Sequence, residues 1–170
     1  ASSATGRLTK LRASINERGL IEALDYDQID DVGAYPRAPE PASLYRMHGN
    51  LSGAYKVKNI RCRNRVVLTN KTPSGLNRGF GGPQHYFALE RLVHQIAVEL
   101  DLNVLDVIKV NLLEKKQFPY KSPSGALLDS GDFQKLIRKV VKSSTYKNIL
   151  KKKNNAIKNG KIYGIGYSAI

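Results

Sequence analysis

The 170 residues carry 28 Lys+Arg against 14 Asp+Glu, a formal charge of +14, with 41% apolar residues and a single cysteine, Cys62. This is chain enough for one compact domain or two small ones, and one thiol excludes an internal disulfide framework or a cysteine-rich zinc or iron–sulfur site, in keeping with a reducing, cytoplasmic setting. The charge favours nucleic acid, an acidic partner chain or a membrane surface as neighbour without choosing among them, and no stretch has the apolar length of a membrane span or the apolar centre of a signal peptide. The only methionine is Met47, so the chain is expected to be processed, trimmed or excised from something longer.

LTKLRASINERGLIEALDYDQIDD alternates apolar and polar residues on both sides of Glu17-Arg18-Gly19, which predicts a β-hairpin whose turn glycine supplies positive φ. VGAYPRAPEPASLYRM brings three prolines together and predicts an extended connection, since proline donates nothing to a sheet ladder. AYKVKNIRCRNRVVLTN, rich in β-branched and alternating basic residues, predicts a further strand pair with one face in solvent. From Gln84 the period changes: Phe87, Leu89, Leu92, Val93, Ile96, Ala97 and Leu100 recur at helical spacing, with Pro83 suited to the first turn. A shorter helix follows Asn103, a loop covers QFPYKSPSGALLDSG, and two more helices occupy SGDFQKLIRKVVKSS and TYKNILKKKNNAIKNG. KIYGIGYSAI predicts a short C-terminal strand. The fold class is therefore α+β, with β-hairpins and a mixed sheet in the first half and helices in the second.

Residues 76–85, LNRGFGGPQH, place one arginine and one aromatic among glycines at the start of a helix. Gly75, Gly79, Gly81 and Gly82 let the backbone approach a ligand closely, and a helix start directs N–H groups toward it. Arg78 adds a planar donor fork and Phe80 a ring face for a flat substrate. The tract is neither GxGxxG nor GxxxxGK[ST], so local pattern alone also fits a plain glycine-rich turn.

The longer order GAY (33–35), AYKVKN (54–59), TN (69–70), NRGFGGPQ (77–84), an amphipathic helix, NLL (111–113), SGALLDSGD (124–132) and YGIG (163–166) resembles the molybdenum-cofactor-binding large subunit of the xanthine dehydrogenase/aldehyde oxidase family. The resemblance implies a molybdopterin-type cofactor, oxidation of an aldehyde or N-heterocycle with oxygen from water, and electron transfer through iron–sulfur and flavin groups on partner chains in a hetero-oligomer. It makes Arg78, Gly79, Phe80 and Gly81 the cofactor-binding residues, and Phe80 with Arg46 the substrate-binding residues. It implies that 1–143 is part of the cofactor-binding domain and that 144–170 leads into the next domain.

The family's base glutamate is absent, so no catalytic residue is assigned in this chain. The isolated chain is expected to be inactive: a split subunit, a gene remnant or an excised piece. Positions 76–84 hold no cysteine, which disfavours the carbon monoxide dehydrogenase reaction, and Asn77 stands where the family usually has an aromatic. The C-terminal lysines, among them Lys147, Lys151, Lys152, Lys153, Lys158 and Lys161, keep open an alternative, a basic nucleic-acid- or partner-binding module without catalysis, with nucleic acid the less favoured ligand. His48, His85 and His94 lack metal-ligand spacing and read as surface or packing residues, and no metal site is assigned. Cys62 reads as a half-buried strand thiol, and Asp129 and Asp132 as turn and cap residues.

Overall fold

A computed structural model describes residues 5–38, 46–76, 78–79 and 81–169, without the side chain of Arg46. Strands β1 (Gly6–Ile15) and β2 (Ile21–Asp31) form an antiparallel hairpin, and β3 (Asn59–Val67) lies parallel to β2 on its far side. The hairpin turn is built as its sequence predicts. Gly19 has φ 74, and the Asn16 carboxamide oxygen accepts from the backbone N–H of Arg18 and Leu20.

Helix α1 (Gly82–Glu99) covers one face of the sheet and α2 (Val104–Asn111) packs beside it. Leu24 and Tyr26 point inward from β2, and Leu89, Val93 and Ile96 meet them from α1. These positions follow the period of two on the strand and about 3.6 on the helix, so one apolar stripe closes on another. Phe87, in the same periodic set by sequence, is 75% exposed instead. The Asn103 side chain caps α2 by accepting from Leu105 N–H at 2.9 Å.

The 117–131 segment, a loop by sequence, contains a two-residue ladder between β4 (Tyr120–Lys121) and β5 (Leu127–Leu128). Helices α3 (Phe133–Lys142) and α4 (Ser144–Lys158) then follow, capped by Asp132 and Ser143. The α+β class stands, with the sheet in the first half and helices in the second.

Two details differ from expectation. The tract 54–70 supplies one strand and not a pair, because Ala54, Tyr55 and Lys56 are drawn to the end of α2: Leu113 N–H donates to Ala54 O, Lys56 N–H to Asn111 O, and Tyr55 bridges Leu112. The C-terminal strand is not formed either. Residues 161–169 form no ladder, and the backbone groups of Tyr167 and Ala169 meet the side chains of His94 and Glu90 on α1 rather than a sheet edge.

The open face of the sheet is held by charge. Asp25 sits between Arg12 and Arg61, and Asp27 between Arg63 and Arg65. Hydrogen bonding to Arg61, offset in part by desolvation and reinforced by Arg12, holds the Asp25 carboxyl down to about 2. A depressed carboxylate stabilises the fold above its ordinary range and loses that contribution as pH falls from about 4 toward 2. The Asp25→Asn variant is expected to show a flatter acid limb over that window in melting temperature against pH, and 1 M salt should shrink the difference because the pairs are exposed.

Candidate cofactor-loop site

The loop running into α1 is fastened to the sheet at its near end. Thr69 N–H donates to Gly33 O at 2.9 Å, Ala34 N–H to Lys71 O at 3.1 Å and Ser74 N–H to Val32 O at 3.0 Å, so GAY and TN lie against each other. Gly33 has φ 81, and a Cβ on it would stand 2.6 Å from Thr72 O and 2.9 Å from the Pro73 Cα. Only glycine permits that approach. The Asp31 carboxylate adds bonds from Gly33 N–H, Thr69 Oγ1 and Lys71 Nζ, and Lys71 is the largest cause of its fall to about 2.

At the far end Gly79 and Gly81 take φ 100 and 81, Gly82 N–H donates to Gly79 O at 2.8 Å, and His85 N–H donates to Gly81 O at 3.1 Å. A Cβ on Gly79 would meet Pro83 Cδ at 3.2 Å. Arg78 is exposed on this turn. Phe80 and Asn77 lie outside the described residues. Arg46 begins a short 3-10 turn, Arg46–Asn50, whose next residue Met47 brings its sulfur to 3.7 Å from where a Gly82 Cβ would sit. The structure thus brings the side chain of Met47, the residue after Arg46, to the start of α1. A cleft of about 730 Å³ opens there, between Met47, Gly79 and Gly82 on one side and Arg91, Tyr167 and Ser168 on the other.

Under the loop lies a buried polar layer that motif reading missed. Arg7 grips Asp30 through two bonds of 2.6 and 2.9 Å with both side chains almost fully buried, and Asn64 Nδ2 donates to the same carboxylate at 2.8 Å. Gln28 is fully buried with neither side-chain polar atom bonded. His85 is fully buried as well. Its ring lies 5.5 Å from that of Tyr26, whose hydroxyl donates to Leu51 O, and neither ring nitrogen has a partner in bonding geometry. Burial first, then the nearby charge of Arg7 and the His48 imidazole, push His85 down to about 4, while the Leu51 carbonyl acts slightly the other way. The signal was present in the sequence. Gln28 has the same strand parity as Leu24 and Tyr26, and His85 falls on the helical row of Leu89 and Val93.

A second cluster closes the other side of α1. Buried Glu90 accepts from Tyr55 Oη at 2.9 Å and from Ala169 N–H at 3.0 Å, and His94 Nε2 lies 2.8 Å from Tyr167 O. Burial raises the Glu90 carboxyl above its ordinary value against the opposing pull of the Ala169 N–H, Tyr55 and His94. Asn111 of NLL donates from Nδ2 to Gly19 O at 2.7 Å and accepts from Ile21 N–H at 2.8 Å, while Ala126 N–H and Ser124 Oγ both donate to Gly49 O. The motif tracts therefore serve largely as ties that fix the sheet, α1 and the loop together.

Cys62 is half-buried and its thiol is pushed up, chiefly by burial. Among the described residues no three His, Cys, Asp or Glu side chains gather as a metal site, and no helix is long and apolar enough to cross a membrane.

A helix start with positive-φ glycines and an exposed guanidinium is a setting for an anionic, oxygen-rich group held by backbone and Arg donors. The chain belongs to the molybdopterin cofactor-binding domain family, whose model matches residues 1–112. It is 29% identical over 134 residues to the carbon monoxide dehydrogenase large chain of Hydrogenophaga pseudoflava, covering 75% of this chain and 16% of that protein. It is 24% identical over 170 residues to the nicotine 6-hydroxylase large subunit of Paenarthrobacter nicotinovorans, covering 98% of this chain and 21% of that one. The fold superimposes on quinoline 2-oxidoreductase from Pseudomonas putida 86 with a TM-score of 0.82 and 25% identity, over 94% of this chain and 21% of that one. The chain thus spans about a fifth or less of the length of these proteins, all molybdenum hydroxylase relatives.

A buried histidine held below its free value stabilises the fold above pH ~6.5, and that contribution is lost as pH falls toward 4, because the unfolded chain takes up the proton first. The full loss is roughly 3 kcal/mol at most. Urea unfolding between pH 7 and 4 should show this slope, and His85→Leu should remove most of it while keeping the helix content seen by circular dichroism.

Proposed function

We propose that this chain is a segment or split subunit of a molybdenum hydroxylase that oxidises an aldehyde or N-heterocycle with water, and that it contributes the loop beside the molybdopterin-type cofactor. The observation that carries this reading is the fastening of 69–85 at both ends, by Gly33 on one side and by Gly79, Gly81 and α1 on the other, which leaves Arg78 exposed next to Gly79 on the lining of a cleft. The bound cofactor would supply the oxidation chemistry and pass electrons to iron–sulfur and flavin groups on partner chains.

The chain's own residues bind and orient. Arg78 and the backbone at Gly79 and Gly81 hold the oxygens of the cofactor, Phe80 packs beside a flat substrate, and Arg46 orients it. The cysteine-free tract 76–84 argues against carbon monoxide as substrate. Residues 1–143 then form the cofactor-binding part, and 144–170 lead onward to the next domain.

A second reading, the basic binding module, rests on residues 133–170, which hold ten Lys+Arg and no Asp or Glu. It predicts nucleic-acid affinity that falls steeply with salt. Of the tyrosines near these lysines, Tyr146 and Tyr163, Tyr146 has less to offer a stacked base, since it is partly covered and hydrogen-bonded to Tyr167 at 3.1 Å.

The test is molybdenum quantification in the assembled enzyme. Arg78→Ala is expected to lower occupancy or turnover by about tenfold or more, the scale of a lost charge-assisted bond, while Arg138→Ala on α3 leaves both unchanged. Equal occupancy and turnover in the two variants would reject the assignment.

A further inference from the structure

Among the described residues the sheet has two edge strands, β1 and β3, and the β1 edge lies next to a groove. The ten residues of β1 pair with β2 on one side and have no ladder partner on the other among the described residues. A free edge of that length presents a row of N–H and C=O groups to any extended chain. Beside it the layer between sheet and helix is open, and the groove, of about 770 Å³, runs between Thr9 and Leu11 of β1 and Phe87, Ala88 and Leu92 of α1, with Arg7 and Arg91 also on its lining. The exposed ring of Phe87 stands on the wall of this groove.

A strand added to this edge has its side chains fixed by the period of two. Alternate residues enter the groove against Leu11 and Phe87, and the residues between them lie on the open sheet face beside Lys10 and Arg12. Lys10 makes no ion pair among the described residues, while Arg12 is 75% exposed at its side chain and shares Asp25 with Arg61. The groove positions facing Leu11, Phe87 and Leu92 therefore favour apolar side chains and the outer positions favour acidic ones. A second copy of β1 fits poorly, because antiparallel self-pairing brings Lys10 and Arg12 of the two copies together.

We propose that the β1 edge accepts an added strand from a partner polypeptide whose residues alternate apolar and acidic. Backbone bonds supply the general attraction, and the groove and the two cations select the sequence. The proposal is independent of the cofactor loop.

The experiment is amide hydrogen exchange on the full chain with capped nine-residue peptides of alternating Val and Glu or alternating Val and Lys. The Val–Glu peptide is expected to slow exchange in 6–15 by on the order of tenfold and to leave 59–67 unchanged, with the Val–Lys peptide giving no protection. The Lys10→Glu/Arg12→Glu double variant should reverse the preference, and Phe87→Ser should weaken the protection. Equal protection by both peptides, protection of 59–67 instead, or self-association through β1 seen by sedimentation without peptide would overturn it.

Discussion

The close approach of Gly33 to the backbone of Thr72 and Pro73 is the constraint on which the loop geometry depends. It lets the end of β2 and the segment after β3 exchange backbone hydrogen bonds at a point where any side chain would force them apart. Because β3 is parallel to β2, both strands finish at the same end of the sheet. That end is where α1 begins, so one glycine contact registers the sheet, the loop and the helix dipole against one another.

The polar layer below the loop serves the same register by a costlier route. A doubly bonded Arg7–Asp30 pair taken out of water gains little net stability over an apolar pair, but it tolerates few alternative positions for β1 and β2. Gln28 and His85 are each held in the same layer without bonding partners, and an unmade bond in a buried site is expensive.

Much of the fold was legible because it follows simple periods. The hairpin with Gly19, α1 with its proline in the first turn, and the Asn103 and Asp132 caps are local features whose causes sit within a few residues. The failures were tertiary. Nothing local shows that 54–56 is pulled to the end of α2, or that Tyr167 and Ala169 find His94 and Glu90 instead of a strand, since both depend on partners tens of residues away. For the site, the order of motifs identified the family, while the polar layer needed strand parity and helix row to be read together. The Arg46 side chain and Phe80, which carry the substrate reading, lie outside what the structure describes.

The Asn111 carboxamide has a consequence in time as well as in space. It ties Gly19 and Ile21 across 92 and 90 positions, so the turn end of the first hairpin waits for a residue made much later. During synthesis at about 5–20 residues per second, that wait lasts several seconds at least. Through that interval the hairpin must persist on its local bonds and its charged outer face, before α1 and α2 arrive to cover its apolar side. Arg12 and Asp25 stand on that outer face from the first two strands, and the arginines of β3 join them before α1 is made.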